Sequence, residues 1–167
     1  TTFDMSANVD GTVTLNDGYT NAATVTLGYA NASGDTIANN ANVALTLSGG
    51  TGMIDGDTNV TGSAGSSDAV SLLNIGGTTT FDANNDVFES ITITDYTAAA
   101  DTTLDLGAHG YALGAGKVLT IDASTLDAGE VFTLDGVQST NALNVTSGGG
   151  ADSLIGGTKA DTISGGA

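Results

Sequence analysis

Two aspartates near the end of the sequence, Asp152 and Asp161, recur nine residues apart in glycine-rich surroundings. Each is followed two residues later by an aliphatic residue, Leu154 or Ile163. Glycine reaches positive φ at little steric cost, so such a run predicts a turn, followed by a short strand whose middle side chain points inward. Carboxylates and exposed carbonyls suit Ca²⁺, which takes about six to eight oxygen ligands. The spacing predicts calcium binding by Gly148, Gly150, Asp152, Gly157 and Asp161.

This pattern resembles the nonapeptide Gly-Gly-x-Gly-x-Asp-x-apolar-x that binds calcium in RTX proteins. The resemblance covers residues 147–167, and it departs from the family pattern at Ser147 and Lys159, which stand in place of glycines. It implies a parallel β-solenoid in which one ion bridges turns two repeats apart on the same side. Asp152 would then pair with an aspartate of a third repeat, which this sequence does not reach. We therefore expect either a longer protein or a partner docked at this end.

A second, less specific resemblance covers residues 90–135. This stretch is similar, in amino-acid composition and in short sequence patterns, to the spacers that precede RTX repeats in large secreted bacterial surface proteins. The implied relatives are surface-layer proteins, filament proteins and large adhesins. Together the two resemblances imply an extracellular, cell-surface location.

A further group of oxygen-bearing side chains is Asp82, Asn84 and Asp86, which stand at alternate positions of one loop. Their spacing resembles the first ligands of an EF-hand loop. Val87 stands where that loop requires glycine, and no flanking helices are predicted. We treat the loop as a candidate calcium site whose alternative is a solvated turn.

Several aspartates at strand ends and turns are further candidates. Asp105, Asp122 and Asp135 each end a predicted strand, so they could line one edge of a solenoid and bind ions between coils. Asp55 and Asp57 share one turn. The alternative for all of them is ordinary turn formation, because Asp hydrogen-bonds readily to nearby backbone.

The composition is strongly acidic, with 19 Asp and Glu against two Lys and a formal net charge of −17. Such a charge predicts no binding to nucleic acid or to anionic membranes. No apolar run approaches the roughly 20 residues of a membrane-spanning helix, so membrane insertion is not expected. Two carboxylates about 4 Å apart repel by roughly 4 kcal/mol at an effective dielectric near 20. Clustered aspartates therefore suggest either a divalent cation or an open, solvated surface, and acidic solubility alone is the alternative. Without calcium, we expect Asp152 and Asp161 to repel each other and the glycine-rich turns of residues 147–167 to lose order.

Catalytic residues are sparse in this sequence. His109 is the single histidine, it lies beside glycine in a predicted turn, and the chain has no cysteine. Neither a Gly-x-Ser-x-Gly nucleophile motif nor a His-Glu-x-x-His zinc motif is present. The sequence predicts a protein that is not an enzyme.

Alternation of β-branched and polar residues predicts an all-β chain with short strands. Residues 67–146 are predicted to form a β-solenoid-like region and 147–167 the calcium-binding repeats of a parallel β-solenoid or β-roll. Residues 1–66, whose turns look hairpin-like, are predicted to form either a short β-sandwich or irregular coils. Besides the short strands around Leu154 and Ile163, the predicted strands are Thr12–Leu15, Ala23–Tyr29, Val43–Leu47, Val70–Ile75, Thr78–Phe81, Ile91–Thr94, Thr103–Leu106, Val118–Ile121, Val131–Leu134 and Leu143–Thr146.

The sequence and its resemblance to RTX proteins together predict a calcium-dependent structural protein of the bacterial cell exterior. It would self-assemble into a surface layer or extracellular filament, or form one repeat of a large adhesin. The expected partners are copies of the same chain, as a homopolymer or as tandem repeats, with calcium at the joint. Two alternatives stay open: a non-catalytic calcium-binding carrier module of a secreted RTX enzyme, and a ligand-binding adhesive domain.

Overall fold

The computed structural model describes residues 1–4, 12–16, 20–27, 36–41, 43–51, 59–61, 67–81, 88–96, 100–106 and 111–166. These residues form β-strands joined by turns, with no helix among them. The strands are β1 (Thr2–Asp4), β2 (Thr12–Leu15), β3 (Ala23–Thr26), β4 (Thr36–Asn39), β5 (Leu45–Gly50), β6 (Asn59–Thr61), β7 (Asp68–Asn74), β8 (Gly77–Thr80), β9 (Phe88–Asp95), β10 (Thr102–Asp105), β11 (Val118–Asp122), β12 (Phe132–Asp135), β13 (Ala142–Thr146), β14 (Ser153–Ile155) and β15 (Thr162–Ser164).

The strands alternate between two faces of a parallel β-solenoid. All odd-numbered strands form one eight-stranded sheet in sequence order, from β1 to β15. The even-numbered strands form a three-stranded sheet, β2-β4-β6, and a four-stranded sheet, β8-β10-β12-β14. Every described strand pair is parallel, so each coil stacks on the one before it. No described segment is a helix long and apolar enough to cross a membrane.

The prediction of a parallel β-solenoid is confirmed, and its coils extend into the N-terminal part. β1 and β3 pair in the eight-stranded sheet, whereas β2 and β4 pair in the three-stranded sheet. The described strands among residues 1–66 therefore stack as parallel coils, the second of the two alternatives predicted for this part, and no described pair of these strands is a β-hairpin. Each predicted strand overlaps a strand of the structure, while β1, β4 and β6 were not predicted.

The core is a set of side-chain columns that run through the eight-stranded sheet. Parallel in-register pairing places equivalent side chains about 4.8 Å apart along the stack. One inward column contains Phe3, Val25, Leu47, Val70, Ile91, Ile121, Val145 and Ile163. The interior members of this column are almost fully buried. Burial of one such aliphatic side chain contributes about 1.5–3 kcal/mol, so the column is a main source of stability.

The neighbouring column faces outward and is polar. It contains Thr2, Thr24, Thr46, Ala69, Ser90, Thr120, Asn144 and Thr162. Small β-branched and hydroxyl side chains suit a pleated surface on which identical neighbours stack closely. This explains why threonine alternates with aliphatic residues along the chain.

An aromatic cluster closes the core beside β9. The rings of Phe81 and Tyr111 meet edge to face with centroids 5.8 Å apart, and Phe81 meets Phe88 in the same way at 6.0 Å. The buried Tyr111 hydroxyl donates to the carbonyl of Phe88 at 2.6 Å and accepts from its N–H at 3.1 Å. The hydroxyl therefore links residue 111 to the first residue of β9.

We expect Tyr111→Phe to lower the free energy of unfolding by about 1–3 kcal/mol, because it leaves buried backbone groups of Phe88 without their hydroxyl partner. Chemical denaturation followed by circular dichroism measures the change. Tyr96→Phe is the matched control, since Tyr96 is 61% exposed. Equal effects of the two substitutions would contradict the assigned role of the Tyr111 hydroxyl.

Candidate functional site

The predicted calcium turns lie at two different edges of the solenoid. The turn 147–152 connects β13 to β14, and with the turn 123–131 it forms what we call the 147–152 edge. The turn 156–161 connects β14 to β15, and with the turn 136–141 it forms the 156–161 edge. Because the chain crosses the solenoid between them, Asp152 and Asp161 lie at opposite edges. The expected repulsion between these two carboxylates was therefore wrong.

At the 147–152 edge, the glycine-rich turn lies directly on the backbone of the preceding coil. The N–H of Gly149 donates to the carbonyl of Leu126 at 2.9 Å. A Cβ at Gly148 would overlap the carbonyl of Leu126, and one at Gly150 would overlap the carbonyl of Glu130. Glycine is thus required here, because the turn lies against the backbone carbonyls of Leu126 and Glu130 in the coil beneath.

The Asp152 carboxylate ties its turn to the preceding coil. Its Oδ1 accepts the N–H of Phe132, the first residue of β12, at 2.9 Å. Its Oδ2 accepts the hydroxyl of Ser147, the residue that replaces glycine in the first repeat. Each carboxylate oxygen has two lone pairs, so these bonds leave acceptor capacity for a cation.

At the 156–161 edge, Asp161 makes an equivalent connection. Its Oδ1 accepts the N–H of Leu143 and its Oδ2 accepts the N–H of Gly157, both at 2.8 Å. A Cβ at Gly157 would lie 2.7 Å from the carbonyl of Ser139, which also accepts the N–H of Thr158 at 2.9 Å. The turn therefore stacks on residues 136–141 as closely as its counterpart stacks on residues 123–131.

The two edges differ in charge. The turn 123–131 carries Asp127 and Glu130, whereas the turn 136–141 has Asn141 at its last position and no acidic residue. The turn 156–161 itself carries Lys159. Because an ammonium group opposes the binding of a second cation nearby, the 147–152 edge is the better candidate for calcium.

In this solenoid, Asp and Asn side chains repeatedly accept a backbone N–H from a neighbouring coil. Asp68 accepts the N–H of Leu45 at 2.8 Å, and the Oδ1 of Asn141 accepts the N–H of Leu113 at 2.6 Å. Asp101 accepts the N–H of Val131 of the following coil at 2.9 Å. Sequence reasoning missed these three residues. The available signal was an Asp or Asn placed at, or directly before, the start of an alternating strand.

A buried network supports the 147–152 edge from inside. The Glu130 side chain is 1% exposed, and its Oε1 and Oε2 accept Asn74 Nδ2 at 2.8 Å and the N–H of Asp127 at 2.7 Å. Asn74 Nδ2 also donates to the carbonyl of Ala100 at 2.7 Å. The network joins three successive coils, and it fixes the loop whose backbone the glycine turn approaches.

Of the three strand-ending aspartates, the structure brings two together. Asp105 and Asp135 are register partners in β10 and β12, with Thr80 and Ile155 on either side. Asp122 ends β11 in the other sheet and is exposed. The prediction that all three line one edge is therefore wrong for Asp122. The Oδ1 of Asp135 accepts the N–H of Val137 at 3.1 Å, so turn formation accounts for part of its role.

The remaining candidates are not described. Asp82, Asn84, Asp86, Asp55, Asp57 and His109 lie outside the described residues. Within the described residues, no group of three or more His, Cys, Asp or Glu side chains is placed to hold a metal ion. Any calcium site built from these residues must therefore depend on backbone carbonyls, with one or two carboxylates.

Comparisons with known proteins identified no relative of this chain. No protein-family model, no curated protein and no solved structure matches the sequence or the fold. The resemblance to RTX proteins therefore stays a prediction from the residues of the two repeats.

Asp122 has a pKa below its ordinary value, because the hydroxyl and then the N–H of Ser124 donate to its carboxylate. A lowered pKa in the folded state stabilises the fold above the unfolded-state pKa, and this contribution is lost as pH falls through the folded-state value. We expect Ser124→Ala to raise the pKa of Asp122 while the N–H bond of 3.0 Å keeps it below the ordinary value. An NMR titration of the carboxyl group measures this.

The control for that titration is Ser153→Ala, which removes an exposed hydroxyl from the opposite sheet. It should leave the Asp122 titration unchanged. An unaltered titration in the Ser124→Ala protein would show that the hydroxyl does not stabilise the carboxylate.

Proposed function

We propose that this protein is a calcium-dependent structural protein of the bacterial cell exterior. Its coils would assemble with other copies into a surface layer or filament, or act as one repeat of a large adhesin. The observation that carries the proposal is the stacked glycine turn 147–152, whose Asp152 lies at the junction of two coils. A turn of this kind offers a carboxylate and several carbonyl oxygens, which are the ligands Ca²⁺ prefers.

The charge distribution supports a divalent cation as part of the folded state. A net charge of −17 destabilises a compact chain through self-repulsion. Calcium bound at the 147–152 edge would lower this net charge and so reduce the self-repulsion.

The last described coil supports calcium dependence in a second way. Leu154 is half-buried, Ile155 is 49% exposed and Ile163 is 41% exposed, so β14 and β15 gain little from apolar burial. Their order depends on backbone hydrogen bonds, the aspartate caps and any ion in the turns. We propose that calcium supplies the missing stabilisation of residues 147–166.

The test for calcium separates the metal-binding role of Asp152 from its capping role. Asp152→Asn keeps an oxygen for the N–H of Phe132 but removes the charge, so it should melt like the parent protein in chelator. Calcium at about 100 times its dissociation constant should stabilise the parent by about 2.7 kcal/mol, and it should stabilise the Asn variant much less. Thermal melts and calorimetric titration with and without calcium measure both effects.

Asp4→Asn is the matched control, since Asp4 is an exposed acid of β1 at the other end of the eight-stranded sheet. It should retain the calcium response of the parent protein. A parent protein with identical circular dichroism and melting temperature in calcium and in chelator would refute the calcium proposal.

Self-assembly is supported by the strands at the two ends of the eight-stranded sheet. β1 pairs only with β3, and β15 pairs only with β13 among the described strands. An edge strand offers a row of N–H and C=O groups to which a further strand can pair. Parallel addition of β1 of one copy to β15 of another continues the sheet without a change of direction. Such head-to-tail contacts do not close, and they give filaments or layers.

The assembly test compares two substitutions in the same sheet. Thr162→Asp adds a charge to the outward face of the edge strand β15, whereas Asn144→Asp adds one to its register partner in β13, which has a neighbour on each side. Both side chains face outward and are exposed, so both variants should fold. We expect the parent and the Asn144 variant to form large species in millimolar-scale calcium, and the Thr162 variant to remain small in sedimentation velocity. A parent protein that stays monomeric at high concentration in calcium would refute assembly.

A further inference from the structure

We propose that a pocket lined by both lysines of this protein binds a small organic carboxylate. The pocket has a volume of about 580 Å³, and it lies between the segment 113–118 and the turn residues 140–142, with Lys159 beside them. Small-molecule sites usually have volumes of roughly 300–1,000 Å³. In a chain with 19 acidic residues, its two lysines, at positions 117 and 159, both line one concave surface.

Lys117 is held in place at the pocket wall. Its Nζ lies 3.0 Å from Glu89 Oε1, and the other oxygen of Glu89 accepts the N–H of Asp68 at 2.8 Å. The backbone carbonyl of Lys117 accepts Asn141 Nδ2 at 3.1 Å. An ammonium group has three N–H donors, so the bond to Glu89 leaves two for a ligand. The side chain is thus positioned before any ligand arrives.

Lys159 is exposed and makes no hydrogen bond or ion pair with the residues that the structure describes. The acidic residue nearest to it in sequence, Asp161, already accepts backbone N–H groups at both carboxylate oxygens. Glu89 is likewise engaged at both oxygens. The ammonium groups of both lysines therefore keep N–H donors for an incoming anion. A charge-assisted hydrogen bond of this kind is stronger than a neutral one.

The rest of the pocket is largely apolar. Leu113, Ala142 and Val118 line it, and Val118 is 46% exposed although it begins a strand of the main sheet. The polar side chain at its base, Asn141, is 5% exposed and bonds to the backbone of Leu113 and Lys117. An apolar wall with ammonium groups beside it matches a ligand that has an apolar body and one carboxylate. A polyanion is disfavoured, because the net charge of the protein repels it at longer range.

The test uses benzoate as the probe and benzamide as its neutral counterpart. Both are titrated into the folded 167-residue protein in calcium-containing buffer, and backbone amide shifts are followed by NMR. Benzoate should produce saturable shifts at residues 113–118 and 140–142, and benzamide should not. Lys159→Gln should weaken benzoate binding about tenfold, which corresponds to about 1.4 kcal/mol. Lys159→Arg keeps the charge and should retain binding.

Lys159 is exposed, so the Lys159→Gln protein should fold like the parent, and its affinity for benzoate can be compared directly. Equal shifts with benzoate and benzamide would overturn the proposal. Unchanged benzoate affinity in the Lys159→Gln protein would do the same. A third result would also overturn the proposal: benzoate changes no backbone amide shift, while Lys159→Gln alters self-association. The lysines would then serve contacts between copies and not a small ligand.

Discussion

In-register parallel stacking is the constraint on which the rest of this structure depends. Each position of a coil meets its equivalent about 4.8 Å above and below, so any property of one residue is repeated along the stack. Aliphatic residues repeated in this way give the column from Phe3 to Ile163, and hydroxyl residues give its outward neighbour. The same rule places Asp135 beside Asp105, where repetition of a charge is unfavourable. Stability and the need for charge compensation therefore have one origin.

The carboxylates at the coil edges connect neighbouring coils without any ion. Asp68, Asp152 and Asp161 each accept a backbone N–H from the preceding coil. Capping holds coils together and also presents a charged oxygen at the junction. A structural cap and a metal ligand are thus compatible uses of the same side chain, and substitution by asparagine separates them.

Much of the fold could be predicted from local pattern, because alternation such as that in residues 143–146 reports directly on strand formation. The nine-residue repeat also predicted the short strands around Leu154 and Ile163. Partners in the stack were harder to predict, because the capping contacts span between 18 residues, for Asp161, and 30 residues, for Asp101. Without a constant period, the sequence does not reveal that Asp105 faces Asp135 while Asp122 lies in the other sheet. The pocket lined by the two lysines could not be predicted either, because without a constant period the sequence does not show which turns are neighbours.

The two faces of the solenoid differ in continuity, and this has a mechanical consequence. The odd-numbered strands form one unbroken sheet, whereas β6 and β8 belong to separate sheets among the described strands. Hydrogen bonds between coils lie along the stacking axis, so tension on that axis loads them in series and peels coils apart one at a time. Between β6 and β8 the load falls on the β5–β7–β9 side of the solenoid. Under a pulling force, the break between β6 and β8 is therefore the most easily deformed part of the solenoid. Bending toward the continuous eight-stranded sheet begins there.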